Sequence, residues 1–288
     1  MRLNTCGRYA VSDPIRSRQA RELAERALVR LAHAYGDVPE FVLLGGLVPD
    51  LLCSSAAYTH VGTTDVDLQV DLEIQGGSVN ASRLEHALQQ AGFAPDTARV
   101  WRWKDETVPA SVVKVEFLAD LKDVANHQAV SFDDCENLGA INLRGTGFAS
   151  QDWELRSVAA AIDGHATTIH LRVATLPAYL LAKIHAAHGR GLPKDWYDIA
   201  YVLLHNDDGG PEAAARRVRE RFGDSLGGST STALGELAAN FADASAQGTT
   251  AYATTMVGLH SELDRDVLAN DAVAAVSLFV GALHTNNS

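Results

Sequence analysis

Asp65 and Asp67 stand two residues apart in Thr63-Thr64-Asp65-Val66-Asp67-Leu68, and Val66, Leu68, Val70 and Leu72 alternate with polar neighbours. Residues two apart on an extended strand share a face, so this alternation predicts a strand with both carboxylates projecting to one side. Convergent carboxylate oxygens suit one or two Mg²⁺ ions held together with substrate phosphates. Two like charges about 5 Å apart at an effective dielectric near 20 repel by roughly 3 kcal/mol, a cost that a divalent cation removes. Upstream, the apolar run Phe41 to Leu44 breaks at Gly45-Gly46 before a helical stretch expected over Leu47 to Ala57. Glycines at such a turn let backbone N–H groups approach a polyphosphate, and the helix start adds partial positive charge. A solvated polar face is the plain alternative for the two aspartates alone; the glycine turn upstream weighs against it.

A third acid is expected on a neighbouring strand. In Val112 to Leu118 the alternation sets Val113, Val115 and Phe117 on one face and Lys114, Glu116 and Leu118 on the other. Glu116 is therefore the candidate third metal ligand, or the base that accepts the proton of an attacking hydroxyl, with Asp120 as the alternate and an ordinary exposed glutamate as the bland reading. A second constellation is Lys183 followed by Lys194-Asp195-Trp196-Tyr197-Asp198-Ile199. Helical spacing makes Trp196, Ile199 and Leu203 a packing stripe and leaves Asp195 and Asp198 on a polar face. An amine at Lys183 could neutralise charge that shifts when pyrophosphate leaves, held in place by Asp198. An interhelix ion pair, or a Lys194 to Asp198 pair along one helix, explains the same residues without chemistry.

These residues need a scaffold. A helix is predicted from Ser12-Asp13-Pro14 to Gly36, then a strand at Phe41 to Leu44, the acidic strand from Asp65, a turn at Gly76-Gly77-Ser78, a helix over Leu84 to Ala91, and strands at Arg99 to Trp103 and Val112 to Leu118. A hairpin is expected within Leu121 to Ser150 and a last strand at Thr168 to Val173. From Thr175 onward the pattern is helical, with breaks near Gly189 to Pro193, Gly209-Gly210-Pro211, Gly227-Gly228 and Gly248. The fold class expected is α+β: a mixed sheet with flanking helices over residues 1–174, then a mostly helical domain over 175–288.

Composition narrows the class. A chain of 288 residues, 47% hydrophobic and 21% charged, can bury a large core. No apolar segment follows the basic residues at the N-terminus, so neither signal peptide nor membrane anchor is expected, which favours a cytoplasmic protein. Three scattered cysteines give no disulfide framework, and the eleven histidines form no zinc motif beyond the spacing of His185 and His188. The net charge of −12 repels nucleic acid, so a polynucleotide substrate would need a local basic surface. Arg16, Arg18, Arg21, Arg26 and Arg30 form one candidate and Arg216, Arg217, Arg219 and Arg221 another. Solvated helix faces paired with Glu22, Glu25 and Glu220 account for them equally well.

Taken together, Gly45-Gly46, Thr63 to Leu68, Lys183 and Lys194 to Ile199 resemble the AbiEii/MenT-type nucleotidyltransferases, the toxins of bacterial type IV toxin–antitoxin pairs within the DNA polymerase β-like superfamily. The resemblance spans roughly residues 40 to 205. It implies a nucleotidyltransferase core with a helical C-terminal region, Mg²⁺, a nucleoside triphosphate donor, an antitoxin partner, and the 3′ end of tRNA as acceptor, so that translation is blocked. On this resemblance Asp65 and Asp67 match the metal-binding pair, Lys183 the functional lysine and Asp198 the aspartate of the later segment. Gly45, Gly46, Thr63, Lys183 and Lys194 are the expected nucleotide contacts, and Thr63 matches a hydroxyl residue that a kinase antitoxin can phosphorylate. Two departures stand out: a longer span from Gly46 to Asp65, and His60 and Gly62 where a basic residue often precedes the acidic strand. The rival readings are transfer to a small hydroxylated molecule such as an antibiotic, and nucleotide binding without turnover.

Overall fold

The computed structural model describes residues 17–70, 80–108, 112–162 and 164–284. The helix signal at Ser12 to Pro14, Arg16, the end of the acidic strand at Leu72 and the Gly76 to Ser78 turn lie outside these residues. Helix α1, Arg18–Tyr35, is capped by the Ser17 side chain, which accepts from the Ala20 N–H, and ends at Gly36 in the left-handed conformation. Then come β1 (Val42–Leu44), a short 3₁₀ turn at Gly45–Leu47 and a one-turn helix α2 (Pro49–Leu52). Next are β2 (Asp65–Gln69), α3 (Ala81–Gln90), β3 (Phe93–Asp96), β4 (Arg99–Asp105) and β5 (Lys114–Ala119). The hairpin is β6 (Ala129–Ser131) with β7 (Gly139–Asn142), followed by a short helix α4 (Gly147–Gln151) and the long pair β8 (Trp153–Ile162) and β9 (His165–Ala174).

Among the described residues, every longer element after Ala174 is a helix: α5 (Leu176–Arg190), α6 (Pro193–His205), α7 (Pro211–Phe222), α8 (Ser229–Asn240), α9 (Gln247–Leu259) and α10 (Arg265–His284). By length and composition α10, with mean hydropathy 1.6, could cross a membrane; here it lies against α6, α7 and α9.

The strands form one mixed sheet in the order β3-β4-β5-β2-β1-β9-β8, with β7 continuing beyond β5 and β6 beyond β7. Antiparallel β1 and β2 put Leu44 opposite Asp67, and parallel β2 and β5 put Asp67 opposite Glu116. The α+β class with a mixed sheet and flanking helices is therefore what the chain adopts. Val66, Leu68, Val115 and Phe117 are fully buried on the face opposite the acids, as their alternation requires.

The helix expected over Leu47 to Ala57 does not form beyond Leu52. Asp207 is the reason: its two carboxylate oxygens take the backbone N–H and hydroxyl of both Ser54 and Ser55, at 2.6–3.0 Å, which holds those residues in a loop. Asp207 is exposed, and the slight desolvation that would raise it is outweighed by these donors, which hold it at about 2. Strands β3 and β8 were not foreseen. Most β8 side chains are exposed, and its pairing with β9 over Trp153 to Ile162 is what makes it a strand.

Candidate active site

The site lies where the ends of β1 and β2 meet the first helix of the C-terminal half. Leu44, Gly45, Asp67, Glu116, Leu118, Leu143, Thr146, Ala182, Lys183, Ala186 and Arg190 line one cleft of about 60 Å³, room for a few water molecules. Helix α5 reaches it through Ala182 and Ala186, whose small side chains permit close approach, while Lys183 and Arg190, two turns apart, share the facing side.

Gly45 is required by two facts at once. Its φ is +76°, and a Cβ there would collide with the Asp67 carboxylate. Gly46 is pressed by Thr63 in the same way, a Cβ falling 2.7 Å from that of the threonine. The two glycines thus let the acidic strand lie close against the turn. Thr63 is buried, 5% exposed, and its hydroxyl takes the Asp65 N–H at 3.1 Å. In this conformation the hydroxyl is turned inward, away from any modifying partner.

Asp65 and Asp67 do project to one side, both half-buried. Burial, then the charges of Glu116 and Asp65, push Asp67 up to about 7, against the pull of Lys183 and Arg190. Asp65 sits outside the cleft lining, its Oδ1 4.0 Å from the Lys114 ammonium. Glu116 lines the cleft and is ion-paired through Oε1 with Arg102 of the next strand. Asp120, the alternate acid, is turned away: it accepts from the N–H of Gly145 at 2.8 Å and from Arg144, fastening the turn before α4.

The donor set fits a divalent cation of the kind that substrate phosphates help to bind. Asp67 is raised first by burial and then by two further carboxylates, and a cation would relieve that excess of negative charge. Among the described residues no three His, Cys, Asp or Glu side chains form a ready-made cage. Mg²⁺ needs none, since one or two carboxylates usually hold it together with phosphate oxygens and water.

Behind the cleft lies a buried network. The Lys183 ammonium donates to Asp198 Oδ2 at 2.7 Å and to Asp195 Oδ1 at 3.4 Å, and Arg190 also donates to Asp195 at 2.9 Å. Burial alone would lower Lys183, but the Asp198 and Asp195 carboxylates outweigh it and hold the ammonium above its usual range. The polar face expected on α6 is not a solvent face. Asp195 and Asp198 are both fully buried, because α5, α9 and α10 surround the helix and the acids find their partners inside. Lys194 stands in the first turn of α6, half-buried and outside the cleft lining.

Two residues of this site escaped the sequence reading, Arg190 and Arg102, and His60 enters it only as a departure before the acidic strand. Arg190 carried a signal, seven residues after Lys183 and so on its face of the helix; the other two arrive from a loop and a neighbouring strand. The basic clusters are largely occupied. Arg18 pairs with Glu22, Arg21 with Glu25 and Asp50, Arg30 with Asp105, Arg217 with Asp208 and Arg221 with Asp152. His185 meets Thr230 and His188 meets Glu236, so each ring is engaged by a different residue of α8.

Residues 141–273 match the model of the family described as nucleotidyl transferase AbiEii toxin, type IV TA system. That stretch contains Lys183, Arg190, Asp195 and Asp198 and stops short of the acidic strand. Two solved Helicobacter pylori structures match the chain: JHP933, with 15% identity, 93% of this chain and 94% of that chain covered and a TM-score of 0.41, and a candidate nucleotidyltransferase, with 14% identity, coverage of 93% and 97% and a TM-score of 0.42. No curated protein matches the sequence.

Proposed function

We propose that this chain is a nucleotidyltransferase that moves a nucleoside monophosphate from a triphosphate to an acceptor hydroxyl at the cleft between β2 and α5, with Mg²⁺ and with the 3′ end of tRNA as acceptor, a reading supported by the match of residues 141–273 to the AbiEii nucleotidyl transferase toxin model of type IV toxin–antitoxin systems. The observation that carries the reading is the convergence of Gly45, Asp67, Glu116, Lys183 and Arg190 on one cleft.

Asp65 and Asp67 would hold the cation, which supplies charge neutralisation at the α-phosphate. The cleft of about 60 Å³ is too small for a whole nucleotide, so the triphosphate rests across its mouth with its phosphates turned inward. The acceptor oxygen forms a bond to the α-phosphorus as the bond to the bridging oxygen breaks and pyrophosphate leaves. Glu116 takes the hydroxyl proton; Arg102 occupies its Oε1, and Oε2 is the oxygen assigned to the transfer. Lys183 and Arg190 stand where charge builds on the leaving pyrophosphate, and Asp198 orients the lysine. An antitoxin of the same type IV system would be the protein partner. A small hydroxylated acceptor is the second reading, favoured by the net charge of −12 and by the paired arginines.

The test is incubation with labelled nucleoside triphosphates and total tRNA. Loss of a metal-holding carboxylate removes several kcal/mol of transition-state stabilisation, so Asp65→Ala should label tRNA at least about a hundredfold more slowly. Equal labelling by wild type and variant would refute the assignment.

A further inference from the structure

His60 lies in the loop between the glycine turn and the acidic strand, and its side chain is fully buried. The ring sits 5.1 Å from each of the Tyr197 and Tyr201 rings on α6. Its Nδ1 accepts from the Gly62 N–H at 3.3 Å, so the ring proton belongs on Nε2, which lies 2.9 Å from Asp198 Oδ1. Asp198 Oδ2 takes the Lys183 ammonium. The carboxylate is therefore clamped between a neutral imidazole donor on one oxygen and the cleft lysine on the other. The loop carrying His60 is fastened to the same helix by the Val61 N–H to the Tyr197 hydroxyl at 3.1 Å and by the Tyr201 hydroxyl to the Tyr58 carbonyl at 2.6 Å.

We propose that His60 is a positioning residue for nucleotidyl transfer, acting through Asp198 to hold the Lys183 ammonium in the cleft beside Asp67 and Glu116. The proposal rests on the reading of the cleft as the reaction site. A carboxylate that lost the His60 donor would swing to share both oxygens with its remaining partners and draw the ammonium after it. A displacement of about 1 Å at a reacting group costs up to roughly a hundredfold in rate. His60 thus supplies a neutral hydrogen-bond donor aimed into helix α6 behind the cleft.

Two variants separate positioning from packing. His60→Phe keeps a ring between Tyr197 and Tyr201 and removes the donor; His60→Gln restores an N–H donor without the ring. In the labelling assay, per folded molecule, His60→Phe should lower kcat by about ten- to a hundredfold while KM for the nucleotide changes less than about threefold, and His60→Gln should recover most of kcat. If both variants lose thermal stability in parallel and keep wild-type kcat, the role is structural and the proposal is overturned. A readout independent of turnover is the ¹⁵N spectrum of wild-type His60, where the Nε2–H tautomer is expected; the Nδ1–H tautomer or an imidazolium overturns the clamp. Should Asp65→Ala label tRNA as fast as wild type, the reaction assignment fails, whereas the tautomer still decides whether the His60 to Asp198 contact exists.

Discussion

At the residue scale the informative group is Asp67. A carboxyl raised to about 7 is protonated in the folded protein over a range where the unfolded chain, at its ordinary 3.8, has already lost the proton. Its contribution to stability is full below that ordinary value and is lost as pH rises through about 7. Without added metal, wild type should therefore lose melting temperature between pH 5 and pH 8 relative to Asp67→Asn, and thermal scans of both proteins in chelator check it. Mg²⁺ must displace the same proton, so its affinity should rise over that range; a pH-independent affinity would exclude Asp67 as a ligand. Gly45 gives a second prediction. A left-handed non-glycine residue costs about 1–2 kcal/mol, and the Asp67 carboxylate adds a collision. Gly45→Ala should lower stability by at least that amount in denaturant titrations and weaken Mg²⁺ binding, since the acid must move.

At the scale of elements, helices α5 and α6 are joined by charge as well as by apolar contact. Removing one partner of a buried pair leaves an uncompensated charge, so Asp198→Ala should cost about 3–5 kcal/mol, read by chemical denaturation. Replacing both partners by apolar residues of similar size, Lys183→Met with Asp198→Leu, should recover only part of that loss, because His60 then lacks its acceptor and Asp195 keeps only Arg190. Activity should stay abolished in the double variant, because the ammonium is gone. Recovery of activity together with stability would mean that the pair serves packing alone. The loop held by Asp207 belongs to the same scale: four donors from Ser54 and Ser55 replace the turns of helix expected there, and the chain thereby reaches α6 with His60.

At the scale of the whole molecule, a net charge of −12 and arginines already paired with acids limit how a polynucleotide can be held. Proteins that bind through six to ten phosphate contacts lose about 10³–10⁵ in affinity between 50 and 200 mM salt. Contacts confined to the cleft mouth are few, so tRNA binding by this chain should weaken by no more than about tenfold over that interval. Steady-state labelling at several salt concentrations measures it, and a steep dependence would point to a basic surface outside the cleft.

Local chemistry was legible in the residues themselves. Alternation placed Asp65 and Asp67 on one face of a strand and Glu116 on the matching face of another, because side-chain direction in a strand depends only on position along the chain. The glycine turn, the C-terminal end of α1, the ends of α5 and α6, and the change from sheet to helix near residue 174 follow from the same short-range rules of capping and backbone freedom. What surrounds each group depends on residues far away in sequence. That Glu116 faces Arg102, that Asp195 and Asp198 are enclosed rather than solvated, and that His60 reaches Asp198 across 138 positions arise only when sheet and helices close on one another. The strand β8 exists for the same reason, since pairing with β9 supplies hydrogen bonds that its own alanine-rich, exposed sequence does not demand. Burial and charge pairing are properties of the assembled core, and with them tertiary structure decided which of the legible residues form one site.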